Sequence, residues 1–196
     1  PGSVCEAAVK MRHHFASDTV LISVAAGLAI RDIRDATNVS NPIIRVMPNI
    51  GAMVGQSASA GIASTDTTAP QRALVELLFN ALGQFTWLTS EEDMHVVTAV
   101  SGSGPAYFFA MCEAMIGAAI ENGLNRDAAE KLVHATCAAA GALVSQTPDA
   151  TQLREQVTSP GGTTAAGLQA MAQNEGLRSV VASAIDAARK RSIEMS

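Results

Sequence analysis

The chain has 196 residues, of which 48% are hydrophobic, 16% charged and 4% aromatic, and it carries a net charge of −5. That length holds one large domain or two small ones with ample material for a core, and the apolar fraction excludes a disordered chain. A net negative charge without a long basic run argues against nucleic acid as a partner.

In chain order, apolar residues at Val4, Ala7, Ala8 and Met11 have helical spacing and predict a helix over 3–15, with Ser3 as its N-cap. Residues 19–24, Thr-Val-Leu-Ile-Ser-Val, form a continuous β-branched and apolar run, the pattern of a strand covered on both faces. A short helix follows over 30–36, then a strand over 42–47 closed by Pro48-Asn49. A glycine-rich passage over 51–61 leads to a short strand at 60–63. Pro70 suits the first position of a helix running to about 82, and 84–88 is a further short strand. Beyond residue 90 the strand signals stop. Ala-rich helices are predicted over 105–121, 126–145, 150–157, 163–173 and 177–193, with Gly123 as a stop and Asn125 as a cap. Glu91-Glu92-Asp93 read as the acidic first turn of a helix. Alternating strands and helices over 1–90 predict part of a parallel α/β sheet, and 91–196 an all-helical domain.

The three cysteines, Cys5, Cys112 and Cys137, are odd in number and contain no CxxC pair. They read as reduced packing thiols of a cytoplasmic protein, not as a disulfide frame or zinc site. No metal site is expected. The N-terminus has no signal-peptide pattern. Residues 106–120 are strongly apolar but shorter than a membrane span and include Glu113, so a buried core helix is expected. The Ala-rich composition and low charge predict a surface covered by another subunit.

Two motifs concentrate the chemistry. In Val157-Thr-Ser-Pro-Gly-Gly-Thr-Thr164, Pro160 holds Ser159 out of the helical region, and Gly161 and Gly162 permit a tight turn into a helix starting near Thr163. The free N–H groups and positive dipole end of that helix suit a small carboxylate or phosphate. Ser101-Gly-Ser-Gly-Pro-Ala-Tyr107 reads as a flexible turn joining the two halves, with Pro105 opening a long apolar helix. It is not a dinucleotide fingerprint, because no strand precedes it and GxGxxG is incomplete. His13 and His14 read as solvated, and His134 has no ligand-spaced partner. No GxSxG elbow is present.

Ala25-Ala26-Gly27, Arg45-Val-Met-Pro-Asn49 and these two motifs together resemble the pyrroline-5-carboxylate reductase family in order and spacing, over essentially the whole chain. The resemblance implies an oxidoreductase that reduces 1-pyrroline-5-carboxylate to L-proline with NADPH or NADH. It also implies a partial Rossmann-type dinucleotide-binding domain over 1–90 and a helical substrate-binding and dimerisation domain over 91–196, forming a homodimer and in some members a decamer. By resemblance, Val24, Ala25, Ala26, Met47, Pro48, Asn49 and Gln156 contact the cofactor. Thr163 and Thr164 hold the substrate, Ser159, Gly161 and Gly162 shape their loop, and Glu91 contributes to the substrate site. Thr164 is the expected catalytic residue. The family's strand–GxGxx(G/A)–helix is expected upstream of Pro1, Ile50-Gly51 replace its usual Thr-Pro, and His95 stands where an acidic residue is common. A non-catalytic dimerisation and substrate-binding fragment or paralogue is the alternative. Other imine or β-hydroxyacid reductases place a catalytic Lys on the first long helix of the second domain, and Tyr107 to Glu121 contains none.

Overall fold

The apolar run near residue 20 and the run before Pro48 become two adjacent strands, β1 (Leu21–Ser23) and β2 (Ile43–Met47), paired in parallel. They lie in a computed structural model that describes residues 2–147, 149–173 and 176–196. The chain forms two compact units, one running up to Pro105 and including Ala184–Ser196, the other Ala106–Ser183.

In the first unit the sheet order is β1-β2-β3-β4, with β3 spanning Ser57–Ala63 and β4 spanning Gly83–Trp87. Helix α1 (Gly2–Met11) precedes the sheet. The expected N-cap side chain of Ser3 lies outside the described residues. Helix α2 (Ile30–Thr37) crosses from β1 to β2, and α3 (Ala69–Asn80), with Pro70 in its first turn, crosses from β3 to β4. β3 and β4 are parallel, with Gly61 opposite Trp87. The all-parallel expectation fails at one pair: β2 and β3 are antiparallel, with Met47 opposite Ala60. The cause is the connection 48–56, which holds one 3₁₀ turn (Ile50–Val54). A parallel return needs a crossover of about a dozen residues or more.

Alternation along β2 divides the core. Ile43 packs with Leu28, Ile33 and Val39 on the α2 side, while Ile44 and Val46 pack with Val75 and Phe79 of α3 on the other. Covering on both faces is why the strand is apolar apart from Arg45. Full burial of Ile43 and Ile44 stabilises the sheet by about 1.5–3 kcal/mol each.

After the sheet, helix α4 (Asp93–Val97) continues through a π-helical turn (Thr98–Gly102) into α5 (Gly104–Glu121). Residues 101–105 are therefore a widened turn within a helical run, not the free hinge expected. The Thr98 and Ser101 hydroxyls donate back to the Met94 and Val97 carbonyls at 2.8 and 3.1 Å, which satisfies the ladder where it widens. The end of helix α9 (Gly176–Glu194) belongs to this unit, with Ser192 Oγ 3.0 Å from His95 Nδ1.

The second unit contains α5 beyond Pro105, α6 (Arg126–Gln146), α7 (Ala150–Gln156), α8 (Thr163–Ala172) and the first part of α9. Asn125 caps α6 by accepting from the Ala128 N–H at 2.9 Å. Cys112 of α5 and Cys137 of α6 come side by side, and the hydrogen bond between them pushes the Cys112 thiol up. The expectation that 106–120 is a buried core helix is not met within one chain: Phe108 and Phe109 are 67% and 59% exposed. The helical run Asp93–Glu121 is long and apolar enough to cross a membrane by length and composition alone.

Candidate functional site

The expected site residues fall into two groups, one in each unit. In the first, β1 and β2 end side by side, and parallel strands present their carboxyl ends in the same direction. Open α/β sheets bind ligands at such ends. Val24, Ala25 and Ala26 follow β1, with Val24 exposed. Met47 closes β2 and is followed by Pro48 and Asn49. Ala25, Ala26 and Met47 line one small cleft together with Arg45, Met94 and Thr98. The two alanines keep this edge free of bulky side chains, as a flat ring laid along the strand ends would require, while the cleft itself is only about 10 Å³, room for one water.

The side chain of Asn49 bonds three backbone groups of the protein. Its Oδ1 accepts from the N–H groups of Gly51 and Ala58 at 3.0 and 3.3 Å, and its Nδ2 donates to the Ser101 carbonyl at 3.0 Å. It ties the end of β2 to the start of β3 and to the π turn. Gly102 serves the same junction: a Cβ there would stand 2.7 Å from Met47 Cε and displace it.

Beneath this edge lies an ion pair whose arginine the sequence reading did not single out. Arg45 faces the α2 side of β2 and donates from Nη1 to Glu91 Oε1 at 2.6 Å, with side-chain exposures of 9% and 33%. The same Oε1 accepts the backbone N–H of Ile30 at 2.8 Å, the first residue of α2. The signal was visible as an arginine inside an otherwise apolar strand, because a buried guanidinium requires a partner. Removing Glu91 would leave that charge unpaired, a loss of about 3 kcal/mol given the partial exposure of the pair.

In the second unit the elbow is built as its sequence implies. Gln156 ends α7, and Thr158 Oγ1 donates back to the Arg154 carbonyl at 2.6 Å, closing the helix. Gly161 has φ +71°, the left-handed conformation that glycine adopts without strain. The Gly162 N–H donates to the Ser159 carbonyl at 3.0 Å, and a Cβ on Gly162 would collide with Ser159 Oγ. Gly162 is then the N-cap of α8, and among the described residues no side chain caps that end. The N–H groups of Thr163 and Thr164, in the first turn, therefore have no intrahelical acceptor. Ser159, Gly161, Thr163 and Thr164 are all exposed. The geometry offers an anion a nest of backbone donors with a threonine hydroxyl beside it.

The family model for the pyrroline-5-carboxylate reductase dimerisation region matches residues 91–195. The chain belongs to the pyrroline-5-carboxylate reductase family. The reductase of Pasteurella multocida is 39% identical over 181 residues, which is 91% of this chain and 66% of the relative. The reductase of Arabidopsis thaliana is 37% identical over 198 residues, covering 100% of this chain and 70% of the relative. The chain thus spans about two thirds of the length of such curated pyrroline-5-carboxylate reductases. Among solved structures, the reductase from Coxiella burnetii superposes with a TM-score of 0.94 at 31% identity, covering 100% of this chain and 73% of that one. The Plasmodium falciparum reductase, solved with NADP bound, gives 0.84 at 30% identity, covering 97% and 72%. The fold is accordingly that of the family: a Rossmann-like part followed by helices of the dimerisation type.

Proposed function

We propose that the protein reduces 1-pyrroline-5-carboxylate to L-proline with NADPH or NADH, the last step of proline biosynthesis. The observation that supports this reading best is the uncapped N-terminus of α8, opened by Gly161 and Gly162, in a chain of this family. In the proposed division of labour, residues 1–90 hold part of the cofactor and 91–196 hold the substrate and a second copy of the chain.

The N–H groups of Gly161, Thr163 and Thr164 take the substrate carboxylate, with Ser159 and Gly162 fixing the turn through the Gly162 N–H to Ser159 carbonyl bond. Thr164 Oγ hydrogen-bonds the ring nitrogen and orients the imine. Glu91, engaged by Arg45 and the Ile30 N–H, is assigned no contact with the substrate. Val24, Ala25, Ala26, Met47, Pro48 and Asn49 face the cofactor, Asn49 through its backbone, and Gln156 supplies a polar contact. The cofactor, when bound, supplies the hydride. A protonated imine is already a good acceptor, so the chain needs position and charge complementarity more than a strong acid.

The exposed apolar residues of the helical unit, among them Phe108, Phe109 and Val180, support a homodimer through these helices, with assembly to a decamer as a further step. The proposed location is the cytoplasm.

Oxidation of NAD(P)H in the presence of 1-pyrroline-5-carboxylate tests the reading, assayed on this chain and on one extended upstream by a glycine-rich strand–turn–helix. Turnover in the extended chain, with loss of the dinucleotide matched by appearance of L-proline, is expected. Absence of turnover in both chains would favour a non-catalytic binding and dimerisation role.

A further inference from the structure

We propose that Arg45 and Glu91 are positioning residues for the cofactor edge, acting through the backbone and not by touching a ligand. The inference rests on the reductase reading and assigns Glu91 its means of action. One carboxylate oxygen, Glu91 Oε1, holds two segments at once: the Ile30 N–H at 2.8 Å and Arg45 Nη1 at 2.6 Å. Ile30 opens α2, so this bond fixes where the loop carrying Ala25 and Ala26 ends. The positive end of α2 favours an anion at that point. Arg45 lies opposite Ser23 in the β1–β2 register and two residues before Met47, on the same face of the strand. The clamp therefore sets the spacing between the Ala25–Ala26 loop and the Met47–Pro48 strand end, the two edges that enclose the small cleft.

A carboxylate engaged by a guanidinium and a backbone N–H has little left for a substrate carboxylate, which it would also repel. A group placed there to bind an anionic substrate would carry the opposite charge. Charge and geometry both make Glu91 a fastener.

The test is isothermal titration of the upstream-extended chain with NADP⁺ and, separately, with L-proline, comparing wild type, E91Q and R45K. Glutamine keeps an acceptor for Ile30 and loses the charge that balances Arg45, while lysine keeps the charge and loses the guanidinium's fork. The expected result is an NADP⁺ Kd raised about tenfold in E91Q and less in R45K, with L-proline affinity unchanged in both. V75A, a core change on the opposite face of the sheet, is expected to lower Tm without moving the NADP⁺ Kd, which separates positioning from stability. An unchanged NADP⁺ Kd in E91Q, or a loss confined to L-proline, would overturn the inference. If E91Q fails to fold, R45K decides by the same readings. A wild-type chain that binds no NADP⁺ would bring down the reductase reading itself, an outcome distinct from a clamp without effect.

Discussion

Thr164 occupies the second position of α8 and carries a hydroxyl beside N–H groups that no side chain caps among the described residues. A hydroxyl placed there both donates and accepts, which suits a ring nitrogen whose protonation changes during the reaction. T164A in the upstream-extended enzyme is expected to lower kcat/KM by roughly 10- to 100-fold, about 1.4–2.7 kcal/mol of lost stabilisation. Steady-state kinetics check this, and wild-type values in the variant would remove Thr164 from the mechanism. Asn49 shows the opposite case. Its amide bonds Gly51, Ala58 and Ser101, so its place after β2 reflects the strand end that it shapes. Sequence marks such a residue as important but is silent on which of its atoms does the work.

At the scale of elements, the sequence is legible where the chain's own periodicity decides. The runs before Ala25 and Pro48 become β1 and β2, Pro70 opens α3, and Asn125 caps α6. Two features are less visible. Strand β3 begins at Ser57 instead of residue 60, because Ser57 and Ser59 bury their hydroxyls by bonding each other at 2.9 Å, which a polar-residue reading takes for loop. Its direction depends on the short connection 48–56 and not on the composition of either strand. The Ser101–Gly104 stretch, rich in turn formers, stays in a helical run because the Thr98 and Ser101 hydroxyls and the Asn49 amide satisfy the widened turn. The Glu91–Arg45 pair joins residues distant in sequence, and only the arginine's setting in an apolar strand points to it.

At the scale of the molecule, the two units differ in how they hide apolar surface. The sheet unit buries its aliphatic residues on both faces of β2, whereas the helical unit buries only Ala129 and Val133 among its large and small hydrophobics in the described residues. Helices with apolar residues on every side need a further surface to cover them. Analytical sedimentation is expected to give a species of at least twice the 20.2 kDa chain, and a monomer at micromolar concentration would remove the proposed dimer. The account turns on whether the elbow ahead of α8 grips the acid group of a five-membered ring. A crystal structure of the upstream-extended protein with L-proline measures this directly. The expected result is the proline carboxylate on the N–H groups of Gly161, Thr163 and Thr164 with the ring nitrogen beside Thr164 Oγ. L-proline bound elsewhere, with that elbow left bare, would contradict it.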